Sequence, residues 1–464
     1  QVAGRLAAGY LCAYGATESG CCAAPPPGRP QGPQLPLPTA SSAHIWVELD
    51  DLIRYFDHFA TPTGIGRVQL EILPRLVAAY PDRVSFCRIG SSPDDVQVIP
   101  PEKLWTLLDG GRSLAETAGK AGIARFAANL RRELDRAGQR LRHNLFEAGP
   151  ARRAFREAVR QGDVILALGG SWTHSHFGSS LRALKRRHGM RFCLLIHDIL
   201  PVSHPEFVSG GHRPNFIKWL DDMQRTWDVV LTPSRASADE LAAHVVTTGM
   251  PLPPIHPIPF GFGFSQEPEA AAPGPIHDGP YALFVSTIEI RKNHILLHRI
   301  WERLIERHGR DAVPTLVLAG SRGWGAEPFW RAMHASNGLG GKIRVVNNLS
   351  DGQMARAYDD CRFTVFPSLC EGWGLPVSES LYHGKLCVAS NATSLPEVGG
   401  PASDYFDPRD EDAAYAAIER AAMDPTYLAA REQWIAANFR LPTWDGTARA
   451  IVDILAPAKT AAVA

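Results

Sequence analysis

Short apolar runs alternate with helical hydrophobic patterns along most of the chain. The run HIWVELDD at 44–51 predicts a first strand that ends in carboxylates, and Gly64 and Gly66 then precede an amphipathic helix. The alternation continues with predicted strands at 163–170, 190–198 and 228–234, and predicted helices at 181–189, 219–227 and 237–246. Ser237 and Glu240 have the spacing of a capping box for the last of these helices.

A second alternating set follows the Pro-, Gly- and Ala-rich stretch at 267–281, which predicts an interdomain linker. Its predicted strands lie at 281–287, 315–321, 342–348, 362–368 and 385–390, and its predicted helices at 294–309, 351–361 and 374–384. Strands that alternate with helices predict a parallel sheet covered on both faces. Because there are two such sets, the pattern predicts two doubly wound α/β domains, each binding ligands at the carboxyl ends of its strands.

Composition narrows the class of protein. A chain of 464 residues has room for two domains, and its formal net charge of zero gives no reason to expect nucleic-acid binding. The eight cysteines are scattered without a CxxC pair, which favours a reducing compartment. No apolar run reaches 18 residues, so no membrane-spanning helix is predicted. The Pro-rich segment 1–43 reads as disordered.

Residues 125–160 stand apart because they contain ten arginines and four acidic residues, with leucines at near-helical spacing. A solvated helical face is the plainer interpretation. A basic amphipathic helix that attaches to an anionic membrane or to a lipid-linked substrate is the alternative. On either interpretation we expect a basic helical insert at about 110–160.

The stretch SLCEGWGLPVSESLYHGK at 368–385 carries the most specific chemistry. A strand leads into a loop with two glycines, and Pro376 suits the first turn of the helix that follows. Backbone N–H groups at such a helix start bind anions, whereas the flanking carboxylates of Glu371 and Glu379 accept hydrogen bonds from hydroxyls. A ligand with phosphate and hydroxyls close together, such as a nucleotide sugar, satisfies both.

This stretch resembles the E-x7-E signature of retaining glycosyltransferases of family 4, which have the GT-B fold of two facing Rossmann-like domains with a cleft between them. Four other segments resemble that family: TGIGRV at 63–68, IHDILPVSHPEF at 196–207, FVSTIEIRKNH at 284–294 and SLPEVGG at 394–400, with PTWDGTA at 442–448 also fitting. The resemblance covers about residues 44–456. It implies an acceptor domain at 44–270, a donor domain at 271–442 and, at 443–464, a helix that crosses back to the first domain.

The resemblance also implies roles for individual residues. Glu379 would hold the ribose, Glu371 would contact the donor sugar, and Arg291 with Lys292 would neutralise the diphosphate. His197 and Asp198 would lie beside the sugar in the cleft. The remaining implied contacts with donor or acceptor come from Gly372, Trp373, Gly374, Leu375, Gly64 and Gly66.

We therefore expect a metal-independent, retaining hexosyltransferase that is located in the cytoplasm. Peripheral binding of the enzyme to the inner face of the cytoplasmic membrane is a further expectation. Segments such as IHDILP look most like bacterial mannosyltransferases of surface polysaccharide synthesis, so GDP-mannose is the first donor expected, ahead of a UDP- or dTDP-sugar. The expected acceptor is a glycan or a lipid-linked glycan, and no cofactor is expected. The alternatives are a non-catalytic nucleotide-sugar-binding or membrane-docked scaffold, and a nucleotide-sugar epimerase.

Overall fold

The computed structural model describes residues 43–56, 64–90, 95–104, 148–174, 176–208, 211, 213–262, 274–440 and 442–457. The predictions for the Pro-rich N-terminal segment, for most of the basic insert and for the first half of the linker lie outside the described residues. Within these ranges, no helix is long and apolar enough to cross a membrane.

The first domain is built on seven strands: β1 Ile45–Glu48, β2 Val84–Ile89, β3 Val96–Ile99, β4 Val164–Ala167, β5 Arg191–Leu195, β6 Val229–Thr232 and β7 Ile255–Pro257. They form one sheet in the order β3-β2-β1-β4-β5-β6-β7. Only the edge strand β3 runs antiparallel to its neighbour. The strands are short and mostly buried, as expected for a sheet covered on both faces.

Helices connect and cover these strands: α1 Asp50–Phe56, α2 Gly64–Ala79, α3 Ala148–Ala158, α4 Phe177–His188, α5 Leu200–Ser203, α6 Arg213–Gln224 and α7 Arg235–Thr248, with short 3₁₀ turns at Ser171–Thr173 and Pro205–Phe207. The amphipathic pattern after Gly64 places Val68, Ile72 and Leu76 in the core. This packing fixes the start of α2 at the carboxyl edge of the sheet, beside the end of β1.

The second domain is built on six strands: β8 Tyr281–Val285, β9 Thr315–Ala319, β10 Ile343–Val346, β11 Phe363–Phe366, β12 Cys387–Ser390 and β13 Asp404–Phe406. All are parallel, in the order β10-β9-β8-β11-β12-β13. The order reverses between β8 and β11. The carboxyl end of a sheet at such a reversal is the usual ligand site of open α/β folds.

The remaining helices are α8 His294–His308, α9 Glu327–Ala335, α10 Asn337–Gly341, α11 Asp351–Asp360, α12 Leu375–Tyr382, α13 Leu395–Gly399, α14 Glu411–Met423, α15 Pro425–Asn438 and α16 Trp444–Leu455, with 3₁₀ turns at Ile290–Lys292 and Gly400–Ala402. The last of them, α16, packs against α2 of the first domain. Its final carbonyl, that of Leu455, accepts a hydrogen bond from Arg191 Nη2 at 2.7 Å. The chain thus returns to the first domain after completing the second.

The prediction of two doubly wound α/β domains is confirmed. The predicted capping box at Ser237 and Glu240 is wrong, because α7 begins earlier than the pattern suggested. Ser234 is the N-cap, and its hydroxyl accepts the hydrogen bond of Ser237 N at 3.0 Å. The carboxylate of Glu240 instead accepts a hydrogen bond from the Ser203 hydroxyl at 3.3 Å.

Candidate active site

The stretch 368–385 forms a loop between β11 and α12 at the carboxyl edge of the second sheet. Gly374 lies at the N-cap with φ of +113°, a conformation that favours glycine, and Leu375 and Pro376 begin the helix. The first N–H groups of any helix have no partner within the helix. The loop therefore offers donors where the sequence predicted a site for phosphate and sugar oxygens.

The loop is held in place through its carbonyl groups. Ser394 Oγ donates to the carbonyls of Glu371 and Trp373, at 2.9 and 2.7 Å. Thr393 Oγ1 donates to the Glu371 carbonyl and accepts from the Glu371 N–H, both at 2.8 Å. Since Thr393 and Ser394 follow β12, the next strand of the sheet fixes the shape of the loop.

Glu371 is buried between Arg291 and Lys292, the two cations for which the family resemblance implied contact with the leaving group. Its Oε2 accepts from Arg291 Nη1 at 2.7 Å, and its Oε1 accepts from Lys292 Nζ at 2.5 Å. Burial by itself would raise the pKa of Glu371, but the charges of Arg291 and Lys292 outweigh it and lower the pKa to about 2. The carboxylate is therefore ionised at neutral pH and compensates both cations.

The two adjacent cations are not equivalent. Arg291 also pairs with Glu289 at 2.7 Å, and although burial opposes it, the two carboxylates raise the pKa of Arg291. Lys292 is more deeply buried, with Nζ 4.9 Å from the centre of the Phe366 ring, and burial followed by repulsion from Arg291 lowers its pKa. The guanidinium therefore holds its charge more firmly, whereas the ammonium depends on Glu371.

Glu379 lies on α12 with its carboxylate fully engaged. Tyr358 of α11 donates its hydroxyl to Oε2 at 2.6 Å, and Arg67 Nη1 of α2 donates to Oε1 at 2.7 Å. Arg67 belongs to the first domain, so this buried carboxylate is shared between the two domains. Burial would lower the pKa of Arg67, but the charge of Glu379 raises it.

His197 and Asp198 follow β5 and face the loop from the first domain. His197 Nε2 donates to the Leu168 carbonyl at 2.9 Å, and burial lowers the pKa of His197 to about 4, so the ring is neutral at pH 7. A Cβ on Gly372 would lie 2.2 Å from the His197 carbonyl oxygen and 3.1 Å from the Asp198 Cβ. Glycine at 372 therefore allows the second domain to touch the strand end of the first.

Two further contacts join the domains at the start of α7. Glu397, in the SLPEVGG segment, accepts from the N–H groups of Arg235 and Ala236 at 2.8 and 2.7 Å. Ser234 Oγ donates to the Gly372 carbonyl at 2.9 Å. A carboxylate of the second domain thus caps a helix of the first, where the helix dipole favours negative charge.

The other predicted residues lie around this centre. Gly64 begins α2 and Gly66 is buried in its first turn, on the same turn as Arg67. Trp373 packs edge-on against Phe260, with ring centroids 5.9 Å apart. Trp373 therefore contacts the end of the first domain.

The structure brings Glu371, Arg291 and Lys292 into direct contact and places Gly372 against His197 and Asp198. Sequence reasoning missed Arg67, Tyr358 and Glu397. Arg67 and Glu397 lie inside segments that resemble the family, but each one binds a partner on the opposite domain. A local sequence pattern does not show such a partner. Nothing in the sequence indicated a role for Tyr358 in the site, apart from its position on a predicted helix.

The part of the chain that carries this site is similar to known proteins. The family model of glycosyl transferases group 1 matches residues 265–440. A curated relative, O-antigen chain mannosyltransferase B of Escherichia coli, is 31% identical over 245 residues, which cover 50% of this chain and 61% of that protein. The aligned region thus spans less than two thirds of that relative.

Solved structures match nearly the whole chain. Sucrose-phosphate synthase from Thermosynechococcus elongatus has a TM-score of 0.54 at 17% identity, covering 89% of this chain and 98% of that one. A structure described as trehalose-6-phosphate from E. coli bound with UDP-2-fluoro glucose has a TM-score of 0.53 at 13% identity, covering 89% and 99%. These likenesses confirm the GT-B fold. The match of residues 265–440 to the glycosyl transferases group 1 model is thus a similarity of the second domain, within a chain of GT-B architecture.

Proposed function

We propose that the protein is a retaining, metal-independent glycosyltransferase that moves mannose from GDP-mannose to a glycan or lipid-linked glycan. The observation that carries the proposal is the buried contact of Glu371 with Arg291 and Lys292 at the carboxyl edge of the second sheet. Fixed cations stabilise the charge that develops on a departing diphosphate. The mannosyltransferase relative supports mannose, and the bound UDP-sugar of a structural neighbour supports a nucleotide-sugar donor.

In this proposal the donor lies on the second domain. Glu379 accepts hydrogen bonds from the ribose, the start of α12 binds the sugar and phosphate oxygens, and Arg291 and Lys292 hold the diphosphate. The neutral His197 lies on the opposite wall. Because its Nε2 proton is committed to Leu168, only Nδ1 is open, as an acceptor for a sugar hydroxyl.

The reaction breaks the bond between the sugar anomeric carbon and the β-phosphate oxygen, and it forms a bond from that carbon to the acceptor oxygen on the same face. The acceptor proton passes to the leaving phosphate, so neither a protein nucleophile nor a metal is needed. The role of the protein is to hold both substrates and to stabilise negative charge. The expected place of action is the cytoplasm, at the inner face of the membrane where lipid-linked acceptors lie.

The first test is thermal unfolding with GDP, UDP and dTDP, on the wild type and on Glu379→Gln. A nucleotide at 100 times its Kd adds about 2.7 kcal/mol of stability, which gives a shift of a few degrees. Glu306→Gln, an exposed glutamate of α8, is the matched control. We expect the shift with GDP to be largest, to vanish in Glu379→Gln and to persist in Glu306→Gln.

The second test is release of GDP from GDP-mannose with a mannoside acceptor, followed by analysis of the anomeric configuration of the product. Retained configuration supports the proposal, and inverted configuration contradicts it. A thermal shift with nucleotide but no release from GDP-, UDP- or dTDP-sugars would favour the non-catalytic scaffold instead. No shift with any nucleotide would contradict a donor site here.

A further inference from the structure

A cleft with aromatic walls opens beside His197 and Asp198 in the first domain. Its volume of about 280 Å³ includes open solvent, and the centres of water-sized molecules can occupy only about 30 Å³ of it, so the cleft is shallow. The side chains that matter here are those of Ile65, Trp172, His197, Asp198, Phe216 and Trp219. The cleft thus lies between the start of α2, the 3₁₀ turn after β4, the end of β5 and helix α6.

Trp172 is the aromatic residue that presents surface to this cleft. Phe216 and Trp219 are 6% and 7% exposed, whereas Trp172 is only partly buried. The Trp172 ring packs 5.7 Å from each of the other two rings, and Trp219 Nε1 is satisfied by Ser171 Oγ at 3.0 Å. Two buried rings therefore support a third ring that is partly exposed and lines the cleft.

Gly170 fixes the position of that ring. A Cβ at this position would lie 2.7 Å from Trp172 Cη2, closer than real contacts allow. The indole thus packs directly on the Gly170 backbone and against Phe216 and Trp219 of α6. A ring that is fixed before a ligand arrives loses little conformational freedom on binding.

The charges of the cleft select the kind of ligand. Of the described residues that line it, none is lysine or arginine, and Asp198 is the one carboxylate. Among the side chains that line the cleft, a phosphate or another anion would therefore find a carboxylate and no cation. A neutral pyranose that rests on the shallow cleft suits this lining, because its apolar C–H face can lie on an indole while its hydroxyls donate to Asp198 and the backbone.

The cleft adjoins the candidate donor site, because His197 and Asp198 line it and both lie against Gly372 of the donor loop. Gly372 of the donor loop touches the His197 carbonyl and the Asp198 Cβ, so an acceptor in the cleft would lie next to the sugar to be transferred. We propose that Trp172, together with Asp198, forms a subsite for the terminal pyranose of a neutral glycan acceptor. This inference rests on the proposed function and names the acceptor class of the same site.

The test is saturation-transfer NMR on the full chain with saturating GDP. The probes are methyl α-D-mannopyranoside, methyl α-D-glucopyranoside and mannose 6-phosphate. We expect signals from at least one neutral glycoside, strongest at the ring protons of one face, and none from the phosphate. Trp172→Ala should weaken that affinity by about fivefold or more, and Trp172→Phe, which keeps a stacking face, by less.

Trp434→Ala, a partly buried tryptophan on α15 that does not line the cleft, is the matched control and should bind the glycoside as wild type does. The GDP thermal shift is measured on every variant. An unchanged shift with lost glycoside binding in Trp172→Ala supports the subsite. If the GDP shift is normal, three results would overturn the subsite: no glycoside signal in the wild type, equal glycoside binding by Trp172→Ala and the wild type, or tighter binding of mannose 6-phosphate than of the glycosides. Absence of a GDP shift in the wild type would instead count against the proposed function.

Discussion

Arg67 donates a hydrogen bond from Nη1 to Oε1 of Glu379 at 2.7 Å, across 312 residues of sequence and between the two domains. Tyr358 occupies the other carboxylate oxygen. The carboxylate that we assign to the ribose is therefore satisfied in the protein alone. The Arg67 side chain is 26% exposed and that of Glu379 is 5% exposed, so Arg67 is the partner that a ribose hydroxyl can displace.

We expect Arg67→Ala to lower the melting temperature of the protein without nucleotide, because Glu379 stays buried without its cation. The same variant should show a larger stabilisation by GDP than the wild type, because the ribose no longer competes with a guanidinium. Thermal unfolding with and without GDP measures both effects.

The control for this prediction is Arg331→Ala, an exposed arginine on α9. It should match the wild type in both measurements. A GDP shift in Arg67→Ala that is smaller than in the wild type would mean that the guanidinium contacts the nucleotide, and it would contradict the competition.

Glu371→Gln should destabilise the protein, since it leaves Arg291 and Lys292 buried without their shared counter-charge. Removing one partner of a buried pair costs about 3–5 kcal/mol. Urea denaturation at pH 7 measures this cost, with Glu306→Gln as the exposed control that should stay within about 0.5 kcal/mol of the wild type.

The stabilisation from Glu371 also has a definite pH dependence. Its folded pKa, about 2, lies below the ordinary value of 4.5, so the stabilisation is complete above pH 4.5 and is lost as pH falls toward 2. The difference between wild type and Glu371→Gln should therefore narrow from pH 4.5 toward pH 2. A difference that stays constant over this range would show that the cations do not depend on the carboxylate charge.

Two buried histidines should make the protein sensitive to mild acid. Burial lowers the pKa of His197 to about 4, and burial with the nearby Lys292 lowers the pKa of His294 to about 3. Because the unfolded chain takes up these protons first, stability is complete above pH 6.5 and falls as pH drops toward 4. A variant with His294→Phe should show a shallower decline of the free energy of unfolding between pH 6.5 and 4, and an unchanged slope would contradict this assignment.

The fold was largely predictable because buried parallel strands are continuous apolar runs. TLVLA of β9 and FTVF of β11 are such runs, and each is followed by a turn and a helix. Strands β2, β3, β7 and β13 were not predicted, and the last three have only three or four residues, too few to show a periodicity. Helices α14 and α15 were also missed, although Asp410 accepts a hydrogen bond from Ala413 N at 2.9 Å at the start of α14.

The site was predictable as far as its chemistry is local. Glu371, Gly374 and Pro376 belong to one strand–loop–helix unit whose spacing indicates the geometry directly. The contacts between domains were not predictable in this way, because Arg67 and Glu379, or Glu397 and the start of α7, meet only after both sheets have folded. The wrong capping box has a different origin, because the true N-cap of α7, Ser234, is a local residue, and the pattern placed the cap too late in the chain.

Gly372→Ala should separate the domains without unfolding either one. The added methyl would lie 2.2 Å from the His197 carbonyl oxygen, and this neighbour is backbone that cannot rotate away. Relief requires the donor loop to move off the strand end of the first domain, which would disturb the Ser234–Gly372 hydrogen bond as well. Overpacking of this kind costs about 1–3 kcal/mol.

We therefore expect Gly372→Ala to retain the GDP thermal shift, which depends on the second domain, and to lose most of the transfer rate, which depends on both. Gly274→Ala is the matched control, because a Cβ there would meet nothing within 4 Å and its backbone needs no positive φ. Small-angle X-ray scattering with GDP should show a larger radius of gyration for Gly372→Ala than for Gly274→Ala. Full transfer activity in Gly372→Ala would show that the tight approach of the loop to His197 is not needed for the reaction.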